Sequence, residues 1–590
     1  MRKFQASTTL FCSTKRLSVF VLSMALAASA HAQSSLSAIH GQTKDASGQP
    51  VASAEISIHN LDDQSDPVVV SATDGTFALR KIKPGKYEVS AAHTGFKPTT
   101  INFDLAAGED HAIDFTLPAA SATPVVNTAS GNFWKRFAKA YKDDWNPPPA
   151  VATATPAPGA EPPFRGDPPV VTNPPYPFSV WPIGGTVWIG YNNATQYPLT
   201  TALQTGPHGD WWKKANIQIY GWADLGMNIS TSSARPYGNL PAAYAEVPNT
   251  FQLDQLTLYI ERTPDTIQTD HFDWGFRLTN LYGLDYRFTT AEGYFSQQLL
   301  NNPKSNGSIG NKYGYDPVMA YVDLYYPQVA QGLDVRIGRY ISLPDIEAQL
   351  APNNYTYSHS LTYTYDCYTQ TGINGTVKLS NHWTIQAGLS GGCEAAPWAP
   401  DHRLTGNMCV AYNWDEGRSN FYTCVNSINS GKYDYNNLSA YYMTYYHKFG
   451  QSKWHMAWET WYQYMKDTPN VTNPAAASLL INNSNGAVCN NATELTCFAP
   501  EWSTVAYVNY QVNPKNFISV RNEYFDDLKG QRTGFKTTYS EHMISWNHWV
   551  GSTIVFRPEL RYEHAYDSPA YDNGTKKAQL MFAADMIWFY

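Results

Sequence analysis

Thr553-Ile554-Val555-Phe556-Arg557-Pro558-Glu559-Leu560-Arg561-Tyr562-Glu563-His564 and Lys576-Lys577-Ala578-Gln579-Leu580-Met581-Phe582-Ala583-Ala584-Asp585-Met586-Ile587-Trp588-Phe589-Tyr590 are the last two regular stretches of the sequence. In the first, Ile554, Phe556, Pro558, Leu560 and Tyr562 fall on one face and Arg557, Glu559, Arg561 and Glu563 on the other. A helix, with its period of 3.6, cannot sort residues this way, whereas a strand does so automatically. Alternation alone suits a soluble sandwich as well as a barrel wall. Counting by twos from the end gives Tyr590, Trp588, Met586, Ala584, Phe582 and Leu580, an apolar and aromatic face that runs to the last residue. Such a stripe fits a strand whose outer face meets lipid and whose inner face is polar.

Arg2, Lys3, Lys15 and Arg16 precede an apolar run from Leu17 to Ala30, and Ala30-His31-Ala32 supplies a small-x-small cleavage pattern before Gln33. Residues 1–32 read as a secretory signal peptide, too short for a spanning helix. No cysteine directly follows the cut, so no lipid anchor is expected. Without the four leader charges, 37 basic residues face 49 acidic ones, a net charge of −12, which argues against a nucleic-acid partner. Aromatic residues make up 14 % of the chain, mean hydropathy is −0.40, and no later window approaches twenty apolar residues. A helical membrane protein is thereby excluded, whereas a transmembrane β-barrel combines one apolar face per strand with aromatic girdles. The soluble alternative is an aromatic-rich secreted carbohydrate binder. The terminal aromatic stripe (Phe582, Met586, Trp588 and Tyr590) also looks like the assembly signal of outer-membrane barrels, which makes outer-membrane lipid and the barrel-assembly machinery the expected partners.

The mature chain keeps Cys367, Cys393, Cys409, Cys424, Cys489 and Cys497. An even number in an exported protein favours disulfides, with fifteen connectivities open. Spacing prefers Cys409 with Cys424 and Cys489 with Cys497, leaving Cys367 with Cys393. The absence of C-x-x-C and of a neighbouring His pair makes a zinc site the weaker reading, and neither metal nor cofactor is expected.

In chain order, residues 33–118 read as a small all-β domain. Ala54 to His59, Phe77 to Leu79, Tyr87 to Ala91 and Ala112 to Leu117 are separated by turns such as Thr73-Asp74-Gly75 and Pro84-Gly85, the spacing of short strands and tight connections. Gly41-Gln42-Thr43-Lys44-Asp45, Gly48-Gln49-Pro50-Val51, Thr73-Asp74-Gly75-Thr76-Phe77 and Ile82-Lys83-Pro84-Gly85-Lys86-Tyr87 resemble, in that order, the carboxypeptidase regulatory-like, transthyretin-like domain. The resemblance implies a seven-stranded sandwich without catalytic groups and leaves its ligand, sugar or protein, open. Residues 119–182 are rich in proline, including Pro147-Pro148-Pro149, and read as an extended linker. One island, Phe133-Trp134-Lys135-Arg136-Phe137-Ala138-Lys139-Ala140-Tyr141, suits a short amphipathic helix, either lying on the inner, membrane-facing surface of the barrel or solvated.

Residues 183–590 supply strand candidates at Ile217–Asn228, Gln252–Glu261, Phe272–Tyr282, Met319–Tyr326, Leu333–Tyr340, Thr369–Leu379, Trp383–Ser390, Leu438–Phe449, Trp454–Met465, Trp502–Val512, Phe517–Phe525, Tyr539–Val550, Thr553–His564 and Lys576–Phe589. Each has about the nine to eleven residues of a tilted membrane strand. Ser380-Asn381-His382, Asn513-Pro514-Lys515 and Gly551-Ser552 are tight turns that alternate with long connections rich in Asn, Gly and Ser, as in outer-membrane barrels. With both termini on one side the strand number is even. Met408–Asp415 would make fifteen, so it is read with Phe421–Asn426 as a hairpin within a loop, stapled by Cys409 and Cys424. All six cysteines then lie in outer loops or at their edges. The expected fold is all-β: a β-sandwich, a proline-rich linker and an antiparallel transmembrane barrel of about 14 strands, with 16 as the alternative.

The rows opposite the lipid face hold the candidate pore-lining residues Arg277, Asp323, Arg336, Arg339, Lys378, Glu459, Arg521, Glu523, Arg557, Glu559, Arg561 and Glu563. A lipid-facing Arg costs about 2–4 kcal/mol at the midplane, so these rows belong to the lumen. There they serve as an ion-pair ladder, as a solute-selecting field, or as both. After Arg339 a connection of roughly thirty residues is long enough to expect a function. Its apolar Ile346 and Leu350 point it into the lumen, with Asp345 and Glu347 opposite Arg336 and Arg339; an outward cap is the alternative.

Leu253-Asp254-Gln255 with Tyr259-Ile260-Glu261-Arg262, Asp273-Trp274-Gly275-Phe276-Arg277, Asp334-Val335-Arg336-Ile337-Gly338-Arg339 and the terminal Asp585 to Tyr590 resemble the OmpL-like porin group of outer-membrane barrels. That resemblance implies passive diffusion of small hydrophilic solutes, with the sandwich as a periplasmic binding or spacer domain; it leaves the oligomeric state open, a homotrimer being one outcome. Alternatives are a barrel-anchored adhesin or scaffold, which a filled lumen would favour, and a TonB-dependent-receptor-like transporter, which needs a plug and about twenty-two strands that the region from Trp181 cannot hold. No enzyme is expected: Ser545 and His548 point to opposite faces of their strand, and neither G-x-S-x-G nor H-E-x-x-H occurs.

Overall fold

The computed structural model describes residues 37–118, 131–146, 189 and 197–590, with breaks at 46–47, 52–53, 63–67, 73, 94–95, 97–98, 298–311, 343–344, 415–418, 450–451, 482–483 and 514. The expected signal peptide, most of the proline-rich segment and Pro514 of the expected 513–515 turn fall outside the described residues. The chain divides into two units, one holding the N-terminal strands and the other the rest.

The first unit has seven strands, β1 (Ser37–Asp45), β2 (Glu55–Asn60), β3 (Val68–Val70), β4 (Thr76–Ile82), β5 (Gly85–Ala92), β6 (Thr99–Leu105) and β7 (Asp110–Leu117), in two sheets ordered β4-β1-β7 and β3-β2-β5-β6. Alternate residues Ile39, Ile56, Ile58, Phe77, Leu79, Val89, Ile113 and Phe115 are buried between them. That is the period-two sorting of a two-layer sandwich. Gly75, with φ +78°, turns the chain into β4 where a Cβ would lie 2.4 Å from the Thr43 carbonyl oxygen, and the Asp74 carboxylate accepts the Thr76 N–H at 3.0 Å.

The second unit opens with three helices, α1 (Phe133–Trp145), α2 (Pro198–Gln204) and α3 (Gly209–Ala215). There follow β8 (Ile217–Ser230), β9 (Thr250–Arg262), β10 (Asp273–Gly283), β11 (Gly314–Tyr326), β12 (Leu333–Ile341), β13 (Thr369–Lys378), β14 (Trp383–Cys393), β15 (Thr405–Trp414), β16 (Ser419–Ile428), β17 (Ser439–Lys448), β18 (Trp454–Pro469), β19 (Thr496–Asn513), β20 (Asn516–Asp527), β21 (Thr537–Val550), β22 (Ile554–Phe556), β23 (Glu559–Ala565) and β24 (Ala578–Phe589). They pair antiparallel in sequence order, and β24 closes the ring on β8, with Phe589 opposite Trp222. β22 and β23 keep one register on both neighbours. They are one strand interrupted at Pro558, which has no N–H to give the ladder, so the closed barrel has sixteen strands.

All fourteen expected strands are present, and the alternation holds. Leu580, Phe582 and Trp588 face outward, while Met581, Ala583 and Ile587 are buried. The loop hairpin expected at 408–426 is corrected. Its two halves are β15 and β16, wall strands that also pair with β14 and β17 on their outer edges. Their outward rows (Met408, Val410, Tyr412, Trp414 and Phe421, Thr423, Val425) alternate like those of the other wall strands; the odd count that Met408–Asp415 gives when taken alone is what disguises them as a loop. Adding both keeps the number even.

Disulfides join Cys367 to Cys393, Cys409 to Cys424 and Cys489 to Cys497. The placement of all six in loops is also corrected: Cys409 and Cys424 face each other across β15 and β16 on the inner side of the wall.

Three outcomes are expected. Deleting Trp588 to Tyr590 removes the last rungs on β8 and the backbone bonds between Tyr590 and Gly221, so folded outer-membrane protein should fall severely, measured as heat-modifiable species on unboiled gels. Replacing Cys409 and Cys424 by Ser should leave assembly intact and lower stability by about 2–4 kcal/mol. Peptide mapping of the unmodified protein should find no free thiol in the mature chain.

Candidate functional site: an inward loop on a charged wall

Residues 345–368, between β12 and β13, enter the barrel. Ile346, Leu350, Tyr355, Tyr357, Leu361 and Tyr363 are all buried, in keeping with the apolar residues that predicted an inward path. A loop has few backbone partners of its own, so its buried N–H and C=O groups must bond elsewhere. Asn354 satisfies part of this demand from within, giving its side-chain N–H to the Ala348 and Leu350 carbonyls at 2.7 and 3.0 Å and accepting the Ala348 N–H at 2.8 Å.

The wall supplies the rest by charge. Arg521 donates to the Ser358 carbonyl at 2.6 Å, Arg561 to that of His359 at 2.7 Å, and Arg557 to those of Ala351 and Asn354 at 2.8 and 2.9 Å. The carboxylates take the opposite half: Glu459 accepts the Ile346 N–H at 3.0 Å, Glu523 that of Leu361 at 2.9 Å, and Glu559 that of Ser358 at 3.2 Å. Charge-assisted bonds of this kind are roughly twice as strong as neutral ones.

Behind the loop the same side chains pair with one another. Arg521 and Arg561 share Glu541, at 2.6 and 2.8 Å, and Arg561 also reaches Glu563 at 2.6 Å. This is the ion-pair ladder expected for the Arg-Glu-Arg-Glu run, except that Arg557 turns to Asp585, its Nε 3.0 Å from Oδ1. Elsewhere on the wall Arg277 holds Glu261 at 2.6 Å, Arg336 holds Asp323 through two bonds of 2.7 and 2.9 Å, and Arg339 meets Asp316 at 3.1 Å. Lys378 lies buried at the far end of β13.

The expected pairing of Asp345 and Glu347 with Arg336 and Arg339 is corrected, since both arginines are taken by acids on β11. Glu347 instead accepts from Tyr507 at 2.6 Å and from the Ser360 N–H at 3.0 Å, 3.7 Å from Arg521. Asp345 gathers with Asp366 and Glu459, their carboxylate oxygens within 4.8 Å of one another. Hard oxygen donors so placed suit a divalent cation or shared protons. The loop crosses the lumen to the strands opposite its origin.

This architecture has relatives. Residues 216–589 match the family model of beta-barrel porin-2, OmpL-like. The chain belongs to the OmpL-like beta-barrel porin-2 family. Residues 38–118 match the carboxypeptidase regulatory-like domain. No curated protein sequence matches the chain. Among solved structures it is similar to the outer-membrane channel DcaP of Acinetobacter baumannii (10 % identity, 63 % of this chain and 97 % of that one, TM-score 0.40), to an anion-selective porin from Comamonas acidovorans (10 %, 63 % and 99 %, 0.39) and to OprB of Pseudomonas putida (12 %, 65 % and 98 %, 0.36).

In this porin-family barrel a second connection also folds inward. Ala242 to Val247 are buried, Tyr244 stacks on His359 with ring centroids 3.9 Å apart, and Asn228 donates to the Val247 carbonyl at 2.9 Å. Sequence reading missed this loop, together with Tyr507, Glu541 and Asp585. Asp585 was legible, because the outward count through Ala584 and Met586 puts it inside. Tyr507 and Glu541 alternate inward on strands whose polar rows were not read.

Asp345 and Asp366 lie in the connection rather than in a strand, and burial, with the charge of neighbouring carboxylates (Asp366 on Asp345, Glu459 and Glu394 on Asp366), raises both carboxyls well above the usual range. A seated loop thus binds protons that a released loop gives up. Seating is favoured at low pH and weakens as pH climbs through the raised values, by up to about 1.4 kcal/mol per pH unit for each proton. Amide exchange in residues 345–366, corrected for its intrinsic rate, should accelerate with rising pH, and Asp345→Asn with Asp366→Asn should flatten the dependence. A pH-independent wild-type loop would contradict this account.

Proposed function

We propose that this outer-membrane barrel is a porin for passive diffusion of small hydrophilic solutes, with the inward loop 345–368 as its constriction and the sandwich as a periplasmic spacer or binding module, without catalytic activity. The carrying observation is the loop itself, which crosses a closed sixteen-strand barrel and is held by charged rows on the inner wall. Those rows supply both signs at close quarters, the arrangement by which pores choose among solutes.

One observation favours a second reading, a barrel that anchors a binding or scaffold domain. Arg521, Arg561 and Glu563 are 0 % exposed, because loop and wall bury each other completely at that level. Conduction therefore requires the loop to shift or a path beside it.

Planar-bilayer recording on the mature protein separates the two. A porin should give discrete conductance steps, and Asp345→Asn with Glu347→Gln, which removes two acidic groups and keeps similar shapes, should shift the reversal potential toward anions. An unchanged reversal potential in a conducting variant would remove the loop from the selectivity path. A silent barrel, both native and after release of the loop by Arg521→Ala and Arg557→Ala, would establish the anchor reading.

A further inference from the structure

Helix α1 is fixed to one end of the barrel, the end of the short turns. Asn132 caps it, accepting the Lys135 N–H at 3.0 Å. At its other end the Tyr141 hydroxyl donates to the Phe589 carbonyl at 2.7 Å and the Trp145 indole N–H to Thr553 Oγ1 at 2.8 Å. Asp144 accepts the Ser552 N–H at 2.9 Å, and Arg136 donates to the Ala202 carbonyl of α2 at 3.0 Å. These contacts use one side of the helix.

The other side carries Lys135, Lys139 and Lys142, all exposed, and Trp134 at its edge is 69 % exposed. On α3, Trp211 is 56 % exposed beside exposed Lys213 and Lys214. Large indoles left bare among lysines are unusual in water but are the composition of a segment at a membrane interface, where the ring sits at headgroup depth and the ammonium groups reach phosphate.

The barrel shows where that interface lies. Its outward surface carries an aromatic girdle at the short-turn end, with Trp274, Trp383, Trp454, Phe556 and Trp588 between 41 and 47 % exposed. Tyr141 of α1 lies against Trp588, ring centroids 6.0 Å apart, so the helix continues the girdle.

We propose that the Trp134–Lys142 face of α1, with Trp211 of α3, docks on the phospholipid headgroups of the leaflet at the short-turn end of the barrel. The occupant is lipid because the face is both basic and aromatic, complementary to anionic phosphate over an apolar interior, and because it adjoins a surface that already meets lipid. The docking is independent of whether the barrel conducts.

The test uses the mature full chain in vesicles of phosphatidylethanolamine and phosphatidylglycerol. With six cysteines in disulfides, single spin labels enter at Trp134→Cys or Trp211→Cys, and at Glu88→Cys on the exposed sandwich surface as a water reference. Collision rates with oxygen and with a neutral nickel chelate report depth. The expected result is an oxygen-to-nickel ratio several-fold higher at 134 and 211 than at 88, falling toward the reference when Lys135, Lys139 and Lys142 are replaced by Glu. Ratios equal to that of position 88 would overturn the proposal. So would labels shielded from both reagents in detergent and vesicles alike, which would mean that the sandwich or a second copy covers the face. The Trp211→Cys label carries the test should Trp134→Cys assemble poorly.

Discussion

Three buried guanidinium groups govern the interior of this barrel. Arg521, Arg557 and Arg561 each stand between a carboxylate on the wall and carbonyl groups of the loop. Withdrawn from water, a guanidinium is tolerable only when all its directions are answered, and losing one partner of such a group typically costs 3–5 kcal/mol. Wall and loop therefore specify each other. The wall binds the loop's main chain, positive groups taking C=O and negative groups N–H, so its hold depends on the course of the backbone more than on the side chains at its tip.

The strand period was readable because it follows from covalent geometry: every second residue of a wall strand meets lipid, so Trp274, Phe276 and Leu278 on β10 announce themselves. β15 and β16 are the exception, although Met408, Val410, Tyr412 and Trp414 alternate as clearly: Met408–Asp415 alone makes the strand number odd, and the cysteine pair suggests a staple across a loop. Alternation assigned Arg521, Glu523 and Arg557 to the interior correctly, and the apolar Ile346 and Leu350 gave the loop its direction. Its partners were not legible. Sequence neighbours such as Arg336 and Arg339 lie at the loop's root, where acids on the adjacent strand have already claimed them, while the loop tip arrives at strands more than a hundred residues away. Which wall a loop reaches is set by barrel curvature and loop length, and no local pattern encodes either.

The two units solve the same problem in opposite ways. The sandwich buries Ile, Val, Leu and Phe between its sheets and turns polar residues outward. The barrel inverts this, with an apolar exterior and an interior of arginine, carboxylate and tyrosine. Pro558 shows how much irregularity the second arrangement absorbs. It interrupts a wall strand, yet the register on both neighbours continues across it, and the Pro558 carbonyl still accepts the Trp546 N–H at 3.0 Å.

The clasp between α1 and the barrel also determines where mechanical load enters the membrane protein. A pull on the N-terminal sandwich is transmitted along the chain to α1 before it reaches β8. There it meets hydrogen bonds to the turn between β21 and β22 and to the end of β24. Tension is thus borne at the seam where the last strand joins the first, by residues some four hundred positions downstream of the helix, and the first wall strand is shielded from direct peeling. The helix acts as a strain relief, like the clamp that holds a cable at its socket.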